Sequence, residues 1–184
     1  MKNKSSAHPS GSGRDNNSPN IVMAKFNNFL AEQIPSLRRY AVALRGPLGD
    51  HDELVRDTLV EALNQKKSFD PDGNIKLWLL GILHQVFVNA YSNKLSNTSA
   101  IPLDISFDAL SNASQSKELD IPDVEFALAL ISDEKREIFL LAGLEGLTYK
   151  EISQVLNIPM GSLVNKLIQA RKAVKEIVYM GTAH

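Results

Sequence analysis

Between Ser132 and Ile177 the order of helix formers, helix breakers and helix starters leaves few folds open. Thr148 is a good N-cap, and Glu151 three residues later completes a capping box that meets the orphan N–H groups of a helix start. Ile152, Val155 and Leu156 then share one face, with Ser153 small enough to let a second helix approach. Asn157 to Gly161 interrupt the helix, because Pro159 cannot continue it and Gly161 is permissive. Met160 or Ser162 is expected to cap the next segment. There Leu163, Leu167, Ala170 and Val174 form an inward stripe and leave Lys166, Gln169, Arg171, Lys172 and Lys175 exposed. This succession predicts a helix-turn-helix, whose second helix lies in the major groove of DNA. A plain helical interaction domain carries the same pattern, so the upstream residues must decide.

Upstream, Phe26, Phe29, Leu30, Ile34, Leu37, Tyr40, Ala41 and Leu44 keep helical spacing, with Pro35 allowing a kink or restart. Gly46-Pro47-Leu48-Gly49 reads as a turn, after which Asp50 or Asp52 can cap a second amphipathic helix built on Leu54, Val55, Thr58, Leu59, Ala62 and Leu63. Phe69-Asp70-Pro71-Asp72-Gly73 is a loop, and a third helix follows from about Ile75 to Lys94. No strand-like alternation is sustained, so the expected fold is all-α: two small helical domains joined by a flexible acidic linker. The expected divisions are a tag or disordered leader at 1–22 with the native start at Met23, a first domain at 23–95, a linker at 96–122 and a second domain at 123–180. Short apolar pieces within the linker, Ile101 to Leu103 and Ile105 to Leu110, either dock on another surface or belong to a solvated tether.

The 184 residues suffice for one or two modest cores, and the absence of cysteine excludes disulfides and thiolate metal sites. No apolar run approaches the roughly 18 residues of a membrane span, so a cytoplasmic protein without membrane insertion is expected. Residues 23–97 carry nine Lys/Arg against eight Asp/Glu, residues 98–132 one against six, and residues 133–184 seven against six. Two nearly neutral halves thus flank an acidic connector. Non-specific affinity for DNA grows with the phosphates neutralised, so a chain this lean in cations is expected to need a partner on DNA. No Ser/His/Asp set, Gly-rich phosphate loop or metal-ligand spacing is recognisable, and the carboxylates read as solvated helical faces. Neither an enzyme nor a cofactor, metal or small-molecule substrate is expected.

These blocks in this order resemble a bacterial extracytoplasmic-function sigma factor, of the sigma-70 family, in which a sigma-2 domain precedes a sigma-4 domain. Asp52-Glu53-Leu54-Val55-Arg56-Asp57-Thr58-Leu59 is similar to the family's D-x-E-D-L-V-Q-x-T-F stretch. Leu77-Trp78-Leu79-Leu80-Gly81-Ile82-Leu83 is similar to its L-R-x-W-L-F-x-I-L. Leu147 to Leu163 is similar to L-x-Y-x-E-I-A-x-x-L-x-I-P-x-G-T-V, and Val86-Phe87-Val88-Asn89 to the general-stress-response branch. The resemblance covers nearly everything from Met23 to Val178. It implies core RNA polymerase and promoter DNA as partners, with an anti-sigma factor as regulator. It implies that Asp52, Glu53, Arg56, Asp57 and Glu61 face the polymerase. It implies that Lys76, Trp78, His84, Asn89, Asn93 and Lys94 read and help melt the −10 element, where bases are stacked or pocketed beside cations. Trp78 and Phe87 are residues more often found in a core than stacked on bases, and His84 has no metal-ligand partner at a suitable spacing.

For the −35 element the resemblance points to Ser162, Asn165, Lys166, Gln169, Arg171 and Lys172. Asn165 and Gln169 suit adenine edges, Lys166 guanine or phosphate, and Arg171 and Lys172 phosphate. The chain departs from the family here. Where G-T-V-K-S-R-L-x-R-A-R is usual, Gly161 to Arg171 reads GSLVNKLIQAR, so Val164 and Gln169 stand at two customary cation positions. The end of the third helix, AYSNKLSN, has one lysine where an arginine cluster is common. Two readings follow: a sigma factor with a lean DNA interface, or a sigma-like decoy that sequesters an anti-sigma factor. The first is favoured, because the acidic second helix is preserved and a decoy's receiver domain is absent.

Overall fold

Hydrophobic spacing is converted into seven α-helices in a computed structural model, which describes residues 19–46, 49–97 and 121–181. Three helices come first: α1 Pro19–Arg45, α2 His51–Asn64 and α3 Ile75–Asn97, with a 3-10 turn at Lys66–Ser68. Four more follow: α4 Ile121–Leu130, α5 Asp133–Gly143, α6 Tyr149–Leu156 and α7 Met160–Gly181. The expected leader lies outside the described residues as far as residue 18, as do residues 98–120 of the expected linker with both of its apolar pieces.

In α1, Leu30, Leu37, Tyr40, Ala41 and Leu44 are buried at the spacing of one helix face. Phe29 and Ile34, expected on that stripe, are exposed. Pro35 neither ends nor restarts the helix, which runs through it. It lies on the exposed side, where water can serve the carbonyl that a proline leaves without its N–H partner. The helix also begins four residues ahead of Met23, with Pro19 in its first turn, where the fixed φ of proline is favourable.

Leu54, Val55, Thr58 and Ala62 bury one side of α2. The buried Thr58 hydroxyl donates to the Leu54 carbonyl at 2.7 Å, while Leu63 stays exposed. Asp50 is the N-cap of α2 but makes no side-chain capping hydrogen bond. Asn74 caps α3, its Oδ1 accepting from Leu77 N–H at 3.1 Å. Leu79, Leu80, Ile82, Leu83 and Phe87 are buried around most of α3, because this helix packs on α2 on one side and on α6 on another.

In the second bundle α7 is central and packs against α4, α5 and α6. Leu163, Leu167, Ala170 and Val174 are buried as the spacing predicted, and Val178 extends the stripe. Contacts between α1 and α5 and between α3 and α6 join the two bundles, and their buried side chains form one continuous cluster. The guanidinium of Arg136 helps fasten this junction. Arg136 on α5 donates to the carbonyls of Leu128 at 2.5 Å and Ile131 at 3.0 Å, beyond the end of α4. It also reaches the Leu44 carbonyl near the end of α1 at 2.9 Å and Asp133 Oδ1 at 3.0 Å. Terminal carbonyls that lack helical partners are thereby met by one fork of donors.

Candidate nucleic-acid interface

The helix-turn-helix is α6, a short turn and α7, and its entry is the capping box read from sequence. Glu151 N–H donates to Thr148 Oγ1 at 3.4 Å, while Thr148 N–H donates to Glu151 Oε2 at 2.8 Å. The Thr148 hydroxyl, and then its backbone N–H, hold the Glu151 carboxyl below its ordinary range. The exit is carried by Asn157, which adopts the left-handed conformation at φ 51° and ends α6. Ser153 contributes more than small size, since its hydroxyl donates to the Ile158 carbonyl at 2.6 Å and holds the turn. Met160 and Ser162 do not precede α7 as caps. Both lie in its first turn, and the Pro159 carbonyl accepts from Leu163 N–H at 3.0 Å.

At 3.6 residues per turn, α7 points Asn165, Gln169 and Lys172 directly away from its buried stripe, and all three are exposed. Ser162 is exposed on one flank of that face. Lys166 lies on the same flank but is only partly exposed, less than its spacing predicted, and is ion-paired with Glu134 of α5. Arg171, nine residues after Ser162, falls on the opposite flank, so the structure does not gather all six residues on one surface. Ile168, 59% exposed, lies between the outward residues and the Arg171 flank.

The α3 set divides more sharply. Trp78 is half-buried in an aromatic trio, 5.1 Å from the Phe69 ring and 6.1 Å from Phe26 between centroids. A groove of about 360 Å³ runs beside it, lined by Phe69, Asp70, Asn74, Trp78 and Gln85 from the first bundle and by Gln154 and Val155 of α6. Asn89 is exposed, and Asn93 and Lys94 lie on α3 where side chains fall outside the described residues. Lys76 and His84 occupy a different side of α3 and face the second bundle. Lys76 Nζ is 2.7 Å from Glu145 Oε2, close enough for an ion pair though not aligned as a hydrogen bond. His84 Nδ1 donates to Glu137 Oε1 at 2.9 Å.

Glu137 and Glu145 were not legible as site residues, and they correct the expectation that the carboxylates sit on solvated faces. Glu137 is 4% exposed and Glu145 8%, with the Glu145 side chain wholly covered. Arg39 of α1 adds a second cation to Glu145 at 3.4 Å. The Tyr40 hydroxyl is buried in the same cluster and has no hydrogen-bond partner among the described residues. Burial first, and then the Glu137 and Glu145 carboxylates, hold its phenol well above the ordinary 10.0. One signal existed for Glu137: it adjoins Ile138 on the face that Leu141 continues, an acid on an apolar stripe. Glu145 sits in the corner before Gly146, where φ is +64°, and spacing says nothing about such a position.

The acidic side of α2 keeps its expected exposure. Asp52, Glu53 and Arg56 are exposed, and Asp57 and Glu61 are partly so. Arg38 donates to Asp52 at 3.0 Å, and Arg56 lies between Glu53 at 3.1 Å and Asp57 at 3.2 Å. Glu61 instead accepts from Gln65 at 2.6 Å. Among the described residues no group of three or more His, Asp or Glu is placed to hold a metal ion, and no helix is long and apolar enough to cross a membrane.

Residues 30–84 match the family model described as the sigma2 domain of PhyR, and residues 123–174 match the model for sigma-70 region 4. The chain is 27% identical over 150 residues to the ECF RNA polymerase sigma factor EcfG of Rhodopseudomonas palustris (strain TIE-1), covering 82% of this chain and 83% of that protein. It is 22% identical over 171 residues to the ECF RNA polymerase sigma-E factor of Escherichia coli (strain K12), covering 84% and 83%. Among solved structures, the fold is similar to the sigma factor RpoE in complex with the anti-sigma factor NepR from Bartonella quintana. The TM-score there is 0.64 at 24% identity, over 87% of this chain and 99% of that one. The PhyRSL–NepR complex from Sphingomonas sp. Fr1 gives 0.59 at 20%, over 83% and 88%.

Proposed function

The chain belongs to the extracytoplasmic-function group of the sigma-70 family of RNA polymerase sigma factors, and on that premise we propose how its surfaces divide the work of promoter recognition. It is a transcription initiation factor that binds core RNA polymerase and directs it to promoters. The observation that carries this is the succession of a sigma-2 and a region-4 match along one chain whose curated relative EcfG it follows for most of its length. The acidic side of α2, with Asp52, Glu53, Arg56 and Asp57 outward and Glu61 at its edge, meets a basic surface of the polymerase. Lys76, His84 and Asn89, with Asn93 and Lys94 further along α3, serve the −10 strand. The groove beside Trp78 has room for an unstacked base, with the ring at its wall and amide side chains at its rim.

Asn165 and Gln169 of α7 read base edges of the −35 element while Ser162, Lys166 and Lys172 position the helix. Arg171, on the far flank, takes a phosphate. Domain divisions at 23–95 and 123–180 and action in the cytoplasm, where polymerase and chromosome meet, belong to the same proposal. The reading assigns binding to the chain and no reaction of its own. The complexes with NepR support an anti-sigma partner of that kind, and membership of the general-stress-response branch, to which Val86-Phe87-Val88-Asn89 is similar, belongs to the same proposal.

The decoy reading has one observation on its side, the PhyR origin of the model matched by residues 30–84. The curated relatives favour the sigma factor, since the chain is 27% identical over 150 residues to an ECF RNA polymerase sigma factor, EcfG. The test is transcription by purified core polymerase with and without the chain. A promoter-dependent transcript is expected. Tight capture of a NepR-type protein with no measurable affinity for core enzyme would reverse the reading in favour of the decoy.

A further inference from the structure

Polar side chains fill most of the outer face of α7, and one row beside them does not fit. Met160, Val164 and Ile168 follow one another at intervals of four residues, so they stand in line on one side of the helix. Met160 and Ile168 are exposed and Val164 is partly so. An isolated exposed apolar side chain is ordinary, but these three are in register, and Ile168 stands three residues from Asn165, its neighbour on the surface. Further along the same side Arg171 and Lys175 take over, both exposed. The row is thus apolar over the half of α7 that follows the turn and cationic over the half beyond it. A stripe made for docking on protein has no reason to change character in this way. A helix entering a major groove has one: its first turns lie against base edges and its later turns against phosphate.

We propose that Ile168 and Val164 receive thymine C5-methyl groups in the major groove, which makes α7 a reader of A·T pairs at the positions it faces. The inference rests on the placement of α7 in the −35 major groove. An A·T pair shows that groove two marks that match this surface: the N6/N7 edge of adenine for a side-chain amide, and the methyl of its thymine for an apolar group. Asn165 and Ile168 therefore divide one base pair between them. Val164 and Ile168 are about 6 Å apart along the helix axis, close to two base-pair steps of about 3.4 Å, so a second thymine falls to Val164. Apolar side chains here are a choice of sequence and not a weakening of the grip, since Arg171 and Lys175 keep the contact with phosphate.

Deoxyuridine differs from thymidine in DNA only by lacking that methyl, so single replacements in the duplex test the contact. Duplexes with a randomised upstream region are enriched by the full chain bound to core polymerase. Each thymine of the −35 region in the enriched sequence is then exchanged for deoxyuridine. Binding by the parent should weaken about fourfold at the thymine that Ile168 meets, the effect of losing one buried methyl group. Ile168→Ala should weaken binding to the thymine duplex by at least that factor and show no further loss on exchange. Because Ile168 lies outside the core, this variant should unfold at the same temperature as the parent. Insensitivity of the parent to every exchange overturns the inference. So does an exchange effect of parental size in both Ile168→Ala and Val164→Ala, because another side chain then holds the methyl. Reduced capture of core polymerase by Ile168→Ala with the exchange effect intact also overturns it, and assigns the row to protein docking. Promoter-dependent transcription without any exchange effect refutes the methyl contact alone, whereas the absence of any transcript refutes the functional assignment beneath it.

Discussion

Replacing Arg136 with alanine should loosen both the second bundle and its seat on the first. The side chain is 13% exposed and its guanidinium serves three carbonyls and one carboxylate at 3.0 Å or less. A hydrogen bond from a charged donor contributes about 1.5–3 kcal/mol, and a buried carbonyl stripped of its donor costs about 1–3 kcal/mol. Asp133 is partly solvated and its pairing adds little. Water can reach some of the freed carbonyls, so the four interactions do not sum. The expected loss is about 3–5 kcal/mol, the range for opening a buried charged network, against a total stability of about 5–15 kcal/mol. Arg136→Lys keeps the charge but not the fork, and about half of the loss is expected. Urea unfolding followed by far-ultraviolet circular dichroism measures both. A loss below about 1 kcal/mol for the alanine variant, or a lysine variant equal to the parent, would mean that solvent serves these helix ends as well as the guanidinium does. The reasoning would then be refuted.

Further outcomes are expected at the capping box, the recognition helix and the acidic side of α2. Thr148→Ala should lower stability by about 1 kcal/mol through the lost N-cap. Because the folded-state pKa of Glu151 is depressed, its contribution is present above the ordinary 4.5 and lost as pH falls through the lower folded value. The stability gap between the parent and Glu151→Gln should therefore close on acidification below that point, and a gap unchanged by pH would contradict the capping role. In fluorescence anisotropy with a −35 duplex, Lys166→Ala should weaken binding and Glu134→Gln should tighten it by releasing Lys166. Equal affinity for Lys166→Ala and the parent would remove that side chain from the groove. Asp52→Lys with Glu53→Lys should reduce capture of core polymerase while lowering stability by about 1–2 kcal/mol, since both acids lie in the first turn of α2, where the helix dipole favours them. Undiminished capture would place the polymerase contact elsewhere.

The chain order of helices and breakers was legible because it rests on local rules. The capping box at Thr148 and Glu151, the loop at Phe69 to Gly73 and the stripe from Leu163 to Val174 all follow from spacing and turn chemistry. What escaped depends on contacts between bundles. The fate of Lys76, His84 and Lys166 was invisible because their carboxylates come from α5 and the corner after it, far away in sequence. Phe29, Ile34 and Leu63 keep helical spacing yet stay exposed, since periodicity says which residues share a face and not whether anything covers it. Pro35 does not restart the helix: a proline on the solvated side of a long helix costs one hydrogen bond and leaves Leu30 and Leu37 buried.

Lys76 and Lys166 each already hold a carboxylate, from Glu145 and Glu134, so the protein carries counterions of its own. Ordinary binding to DNA weakens as salt rises, because the small cations displaced from the phosphates are released into a richer bath. On the proposed assignment of both lysines to DNA, each must also surrender an internal anion, and screening makes that surrender easier, above all for the exposed Glu134. The two dependences oppose one another. Promoter occupancy should vary less with ionic strength than a count of lysines implies, and the two glutamates set how much less.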